Sequence, residues 1–233
     1  MYRHLEIKGW DAKKMKNTKV VVGGAGAIGS QVSMMLARIG IGRLIVIDHD
    51  ILEEHNTANQ LYTSEDIGMR KVDALREILK DFDAEYIGIS DKVQNVDWES
   101  IDADIILGCF DNIGARFFLN MIAVTHRKPY IDAGIESFRG QVWTVIPGKT
   151  PCLQCWSDMF PKVKPKAGCS SVESAPSTFF TASYAAALQA MQVVKIVLGK
   201  PVEPFIGFNL KSGITMPMKL KRNEKCELCG GIR

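Results

Sequence analysis

From residue 19 onward, short unbroken apolar runs alternate with longer stretches whose apolar residues recur every three or four positions. Residues 19–22, 43–48 ("RLIVID"), 84–90 ("AEYIGIS"), 103–110 ("ADIILGCF") and 129–134 ("PYIDAG") form the runs. Between them, residues 27–39 place Ile28, Val32, Met35, Leu36 and Ile39 on one helical face, and residues 69–80 do so with Val72, Leu75, Ile78 and Leu79. Residues 113–125 make a third helix. Strands that are apolar on both faces and alternate with helices predict a mostly parallel sheet covered on both sides.

The rhythm changes after Gly140. "GQVWTVIPG" (140–148) reads as an antiparallel strand, and a loop rich in Pro, Lys, Cys and Ser runs over 151–177. A long helix over 178–198 is stopped by Gly199 and Pro201, and residues 203–210 and 213–221 are late strands. The pattern therefore predicts one α/β domain over residues 1–233. It is Rossmann-like, a mostly parallel doubly wound sheet with an antiparallel C-terminal extension. Residues 1–139 form a nucleotide-binding half and 140–233 a substrate and zinc half.

Composition narrows the function classes. With 46% hydrophobic and 24% charged residues the chain has the make-up of a globular domain, and a net charge of +3 gives no reason to expect nucleic acid or an anionic membrane as partner. The one local basic cluster, "PKVKPK", reads as a solvated loop. No apolar run reaches the ~18 residues of a membrane span. The first 19 residues carry acids and a Trp where a signal peptide needs an apolar core, so the expected location is the cytoplasm.

The first candidate chemistry lies in "VVVGGAGAIGS". Gly24, Gly26 and Gly29 stand as G-x-G-x-x-G between a strand and a helix, with Ala27 and Ile28 opening that helix. Gly24 permits the tight turn, Gly26 lets backbone amides reach a phosphate, and Gly29 allows close helix–strand packing. The helix N-terminus favours the anion. Asp48, ending the second strand, can take ribose hydroxyls. Hydride transfer, attack on ATP and plain nucleotide binding all remain open at this point.

Four of the six cysteines form two pairs, Cys152/Cys155 and Cys226/Cys229, each C-x-x-C. Two such knuckles far apart predict one tetrahedral zinc, structural because four thiolates leave no open position. Cys109 sits in an apolar strand and reads as core. Cys169 lies in a loop near Lys162, Lys164 and Lys166, where cations favour a thiolate.

Together, the glycine motif, "DHD…HN…NQ", "IGMRKV", "CFDN…R", "PCLQC", "CSSVESAP" and "CELC" resemble the ThiF/MoeB/HesA family, relatives of the ubiquitin-activating enzymes, in order from Arg3 to Cys229. The resemblance implies adenylation of a carboxylate with ATP and magnesium, in a homodimer with structural zinc. It implies that Asp48 and Asp50 lie at the nucleotide, Asp48 on the ribose. Asn56, Asn59, Gln60 and Lys71 fall at triphosphate-side positions, Asp111 is associated with magnesium, and Arg3 reaches the partner subunit's site. Read from the residues alone, Lys71 could equally be a solvated helix lysine, Asp111 a helix N-cap, and Arg3 disordered.

Asn59 departs from the family pattern, which usually has a phosphate-gripping arginine there. The segment "CSSVESAPSTFF" also departs, at the loop over which a protein tail would thread. These departures, with the compact chain, lean the reading toward a small-molecule carboxylate such as guanylylpyridinol in cofactor biosynthesis. The Gly-Gly terminus of a ubiquitin-like sulfur carrier is the alternative, with Cys169 as its covalent partner. From other classes, an NAD-dependent oxidoreductase would use the same glycines and Asp48, but no histidine lies beyond His126 to serve as acid or base. A non-catalytic nucleotide-sensing zinc scaffold would not need Lys71 and Asp111 together.

Overall fold

The computed structural model describes residues 3–159 and 176–232. A 3-10 turn (Arg3–Glu6) leads into α1 (Ala12–Asn17), β1 (Lys19–Gly23), α2 (Ala27–Arg38) and β2 (Arg43–Ile47). Two further 3-10 turns (Glu54–Ala58 and Ser64–Asp66) precede α3 (Lys71–Leu79), β3 (Glu85–Ile89), β4 (Ile105–Gly108) and α4 (Ile113–Thr125). Then follow β5 (Tyr130–Glu136), β6 (Arg139–Val145), a kinked 3-10 segment (Leu153–Met159), α5 (Phe179–Val197), β7 (Phe205–Asn209) and β8 (Ile214–Met218).

All eight strands join one sheet in the order β3-β2-β1-β4-β5-β6-β7-β8. The pairings from β3 through β5 are parallel, and those from β5 to β8 antiparallel. The order reverses between β1 and β4, and such a switch point opens a crevice at the carboxyl ends of the strands. The strands at the sheet's centre, β1, β2 and β4, are buried on both faces, which is why they read as continuous apolar runs. Val20, Val22, Leu44, Leu107 and Ile131 pack with α2, α3 and α5 on one side. Val21, Ile45, Ile106, Tyr130 and Trp143 pack with α4 and the cysteine knuckles on the other.

The expected elements are present with ends shifted by up to three residues. The helix α1 was not expected: it has six residues and buries only Met15, so it carries no amphipathic stripe. It is held instead by its cap, where the Asp11 carboxylate accepts the Lys14 N–H at 2.9 Å.

Two residues differ from their simpler sequence readings. Asp111 is not the cap of α4; Asn112 is, its side chain accepting the Ala115 N–H at 3.1 Å. Nor is Lys71 a solvated helix lysine, since only 7% of it is exposed.

Candidate active site

The turn after β1 is built by its glycines. Gly24 has φ +96°, and a Cβ on Gly29 would fall 1.7 Å from the Gly24 carbonyl oxygen, so α2 can pack on this turn only without a side chain there. A Cβ on Gly26 would meet nothing within 4 Å, so the turn opens outward at that point. The first intrahelical bond of α2 runs from Ser30 N–H to the Gly26 carbonyl at 3.0 Å. The N–H groups of Ala27, Ile28 and Gly29 thus precede the helix's first internal donor and carry its positive end, an arrangement suited to phosphate.

Asp48, at the end of β2, is 5% exposed. One of its oxygens accepts the Ala25 N–H at 2.7 Å and the other the Asp50 N–H at 2.8 Å. It therefore ties the glycine turn to the 48–50 segment, and its remaining lone pairs are available to a ligand hydroxyl. Tyr62 closes the same corner from behind, donating to the Ala25 carbonyl at 2.7 Å. Burial, reinforced by the Asp48 charge, pushes the Tyr62 phenol well above its ordinary range, so it remains a neutral donor.

Lys71, the first residue of α3, directs Nζ to Asp50 Oδ2 at 2.7 Å. Asn56 is buried in the turn between them and accepts the Glu53 N–H at 2.9 Å. Gln60 is 9% exposed, and its Oε1 is a buried acceptor with no partner among the described residues. Asn59, standing where an arginine was expected, donates to Ser177 Oγ at 3.1 Å, which fastens this turn to the chain leading into α5.

Asp111 follows β4 across the crevice, exposed and without an ion pair among the described residues. A free carboxylate there is the hard oxygen donor that magnesium prefers, and the residue type fits the ion. Beneath it lies a network that sequence reasoning missed. Arg116 of α4 meets Asp132 of β5 through Nε at 3.0 and 3.1 Å and through a second nitrogen, with Arg116 7% and Asp132 0% exposed. Tyr130 donates to Asp132 Oδ1 at 2.8 Å. Burial works against the Arg116 charge, but the Asp132 carboxylate overrides it and raises the guanidinium further. The sequence signal was an acid inside an otherwise apolar strand, which implies a buried cation facing it.

The four cysteines converge. Their sulfurs lie within 4.8 Å of one another, with Cys152–Cys155 at 3.9 Å, Cys152–Cys226 at 3.8 Å and Cys155–Cys229 at 3.3 Å. A tetrahedron with Zn–S of ~2.3 Å has edges of about 3.8 Å, so the cluster fits zinc. Burial pushes the Cys229 thiol up to about 11 and Cys152 further, whereas at Cys226 burial is outweighed by hydrogen bonds from the Cys229 and Leu228 backbone, which lower its thiol. Asn120 of α4 anchors the first knuckle by accepting the Leu153 N–H at 3.0 Å. Cys109 is core as expected, 8% exposed, with burial raising its thiol. Arg3 is exposed in the N-terminal turn, and no contact among the described residues brings it to the crevice. Cys169 lies outside the described residues, as does most of the departing loop.

A glycine turn, a helix N-terminus, a carboxylate–lysine pair and a second carboxylate gather at the switch point of a Rossmann-like sheet. The chain belongs to the ThiF family, whose description matches residues 3–228. Members of that family are ATP-dependent adenylyltransferases that activate carboxylates. Among relatives, the sulfur carrier protein ThiS adenylyltransferase of Bacillus subtilis is 29% identical over 229 residues, covering 94% of this chain and 66% of that protein. The vegetative HesA protein of Trichormus variabilis is 31% identical, with 94% and 83% covered. Among solved structures, E. coli MccB with ATP superposes with a TM-score of 0.77 at 26% identity, over 94% of this chain and 68% of that one. The chain thus spans about two thirds of two of these three proteins. Among the described residues, no helix is long and apolar enough to cross a membrane.

Proposed function

We propose that this chain activates a carboxylate as its acyl adenylate, with release of pyrophosphate from ATP. The observation that carries the reading is the crevice itself: Lys71, buried and paired to Asp50 at 2.7 Å, faces the same switch point as the glycine turn clamped by Asp48. The first-turn amides of α2 receive the phosphates, and Asp48 accepts from the ribose hydroxyls. Lys71, a compact cation, neutralises the triphosphate, and Asn56, Asn59 and Gln60 line that side. Asp111 would hold magnesium, which supplies charge neutralisation at the phosphates when bound. The carboxylate substrate attacks the α-phosphorus in line with the departing pyrophosphate, so the protein's work is orientation and charge stabilisation. Arg3 acts in the partner subunit's site of a homodimer. The cysteine cluster holds a structural zinc.

The substrate we favour is a small-molecule carboxylate such as guanylylpyridinol. Support comes from Asn59: the residue that would replace a phosphate cation instead fastens the chain at Ser177, beside the segment over which a protein tail would thread. The likeness to the ThiS adenylyltransferase keeps a carrier terminus as the second reading. The test is ATP–pyrophosphate exchange with candidate carboxylates added singly. Exchange dependent on a small carboxylate supports the first reading. Exchange only with a ubiquitin-like protein, together with a thiol-sensitive adduct lost in Cys169→Ser, establishes the second.

A further inference from the structure

Gln189, midway along α5, is fully buried. Its Nε2 donates to the Ile131 carbonyl at 2.7 Å and the Gly108 carbonyl at 3.2 Å, while Oε1 faces Cys109 Sγ at 3.3 Å, accepting its S–H. One side chain from the C-terminal half thereby bridges two parallel strands where β4 ends. A leucine or methionine would fill the same space without desolvating an amide, so the polar choice calls for an explanation beyond volume.

The opposite face of the same peptide is equally constrained. A Cβ on Gly108 would fall 2.0 Å from Tyr130 Oη and 2.9 Å from Asp132 Oδ1. The next residue is pinned as well, Cys109 N–H donating to the Gly23 carbonyl at 2.8 Å. The exit of β4 is therefore clamped by Gln189 from the α5 side, by the Tyr130–Asp132–Arg116 network from the α4 side, and by β1 laterally. Asp111 stands two residues past the last clamped position.

We propose that Gln189 is a positioning residue of the nucleotide site: by fixing the Gly108–Cys109 peptides it sets the place of the Asp111 carboxylate, and hence the affinity for the divalent cation that accompanies ATP. The inference rests on the reading of Asp111 as the magnesium-associated carboxylate. Its hydrogen bonds end on the last residues of β4 and on β5 beside them, where an error in strand exit is passed directly to Asp111. Simple strand cohesion would be served as well anywhere along the ladder.

The test uses the full chain. Gln189→Met keeps the volume and deletes all three contacts; Gln189→Glu keeps the shape but replaces the donating amide with oxygen. Zinc content and far-UV spectrum report folding. Manganese binding to protein saturated with a non-hydrolysable ATP analogue, read by electron paramagnetic resonance, reports the cation site without catalysis. Groups that touch a metal ligand directly are typically worth ~10–100-fold in metal affinity; Gln189 acts two residues before Asp111, so we expect a loss at the low end of that range, about tenfold, for Gln189→Met. Faster amide hydrogen exchange over residues 109–112 should accompany it, with metal-free analogue binding unchanged to within about threefold, because the glycine turn is untouched. A folded variant that binds manganese within about twofold of wild type overturns the proposal. So does failure of both variants to keep the wild-type spectrum and zinc, which makes Gln189 a core support only. Asp111→Ala separates the two levels of inference. If it leaves manganese binding intact, the reading of Asp111 is wrong. If it abolishes binding while Gln189→Met does not, only the present inference falls.

Discussion

Asp48 has one task visible in its hydrogen bonds, and the proposed function gives it a second at the ribose. It receives the Ala25 and Asp50 N–H groups at 2.7 and 2.8 Å, so it shapes the turn before it meets any ligand. Hydrogen bonds to a charged group are worth ~1.5–3 kcal/mol each, and Asp48→Ala is expected to weaken ATP binding by at least about 30-fold. Isothermal titration with a non-hydrolysable analogue checks this. Asp111→Ala, in contrast, should abolish pyrophosphate exchange while ATP affinity falls modestly, because the cation matters most where charge develops in the transition state. Lys71→Ala should weaken both, since in the proposed reading its cation neutralises the phosphates whether or not chemistry follows. Near-normal exchange in Asp111→Ala would remove the metal role assigned to it. Residue type and spacing singled out the four cysteines, and strand position singled out Asp48, whereas Lys71 was picked out only by the family resemblance. What was not legible was pairing at a distance: Lys71 with Asp50, 21 positions apart, and Arg116 with Asp132, 16 apart on different elements. The Asp-Asn dipeptide before α4 offers two capping side chains, and only the backbone conformation at Asn112 decides between them.

At the scale of elements, α4 links the crevice to the cysteine cluster. Its first turn carries Asn112 and Arg116, and Asn120 further along holds the Cys152–Leu153 knuckle. Arg116→Met would leave the Asp132 carboxylate buried and unpaired, a change that typically removes ~3–5 kcal/mol of stability. Replacing both partners with apolar residues of similar volume should recover most of that loss. Chemical denaturation of Arg116→Met and an Arg116→Met/Asp132→Leu pair measures the difference, and equal stability of the two variants would show that the unpaired charge is not the cause. Elements buried on both faces, β1, β2 and β4, were the most legible of all. The helix α1 was not, because its stability comes from the Asp11 cap and Met15 rather than from any periodic stripe.

At the scale of the whole molecule, the cysteine cluster is embedded rather than appended. Cys152, Cys226 and Cys229 belong to the same buried cluster as Ile106, Leu119, Tyr130 and Trp143. Gently purified protein should carry one zinc per chain by metal analysis. Chelation should loosen the α4 face along with the tail, seen as faster hydrogen exchange in α4 as well as over residues 219–232, with the glycine turn and α2 the least affected. A zinc-free preparation with unchanged exchange in α4 would refute the structural role.

The packing of α5 on α2 bears on how the chain reaches this state. The Gln31 amide meets the Phe179 carbonyl 148 positions later, and Ser183 bonds Gln31 in return. The helix α2 therefore lacks its cover until α5 has been made. Contacts of such long sequence separation must absorb a large loop-closure entropy before they stabilise anything, which slows folding. Before α5 emerges from the ribosome, the apolar face of β1 and α2 that it covers would be exposed. Refolding from denaturant should accordingly be slow and concentration-sensitive, and a fragment ending before α5 should aggregate rather than bind nucleotide.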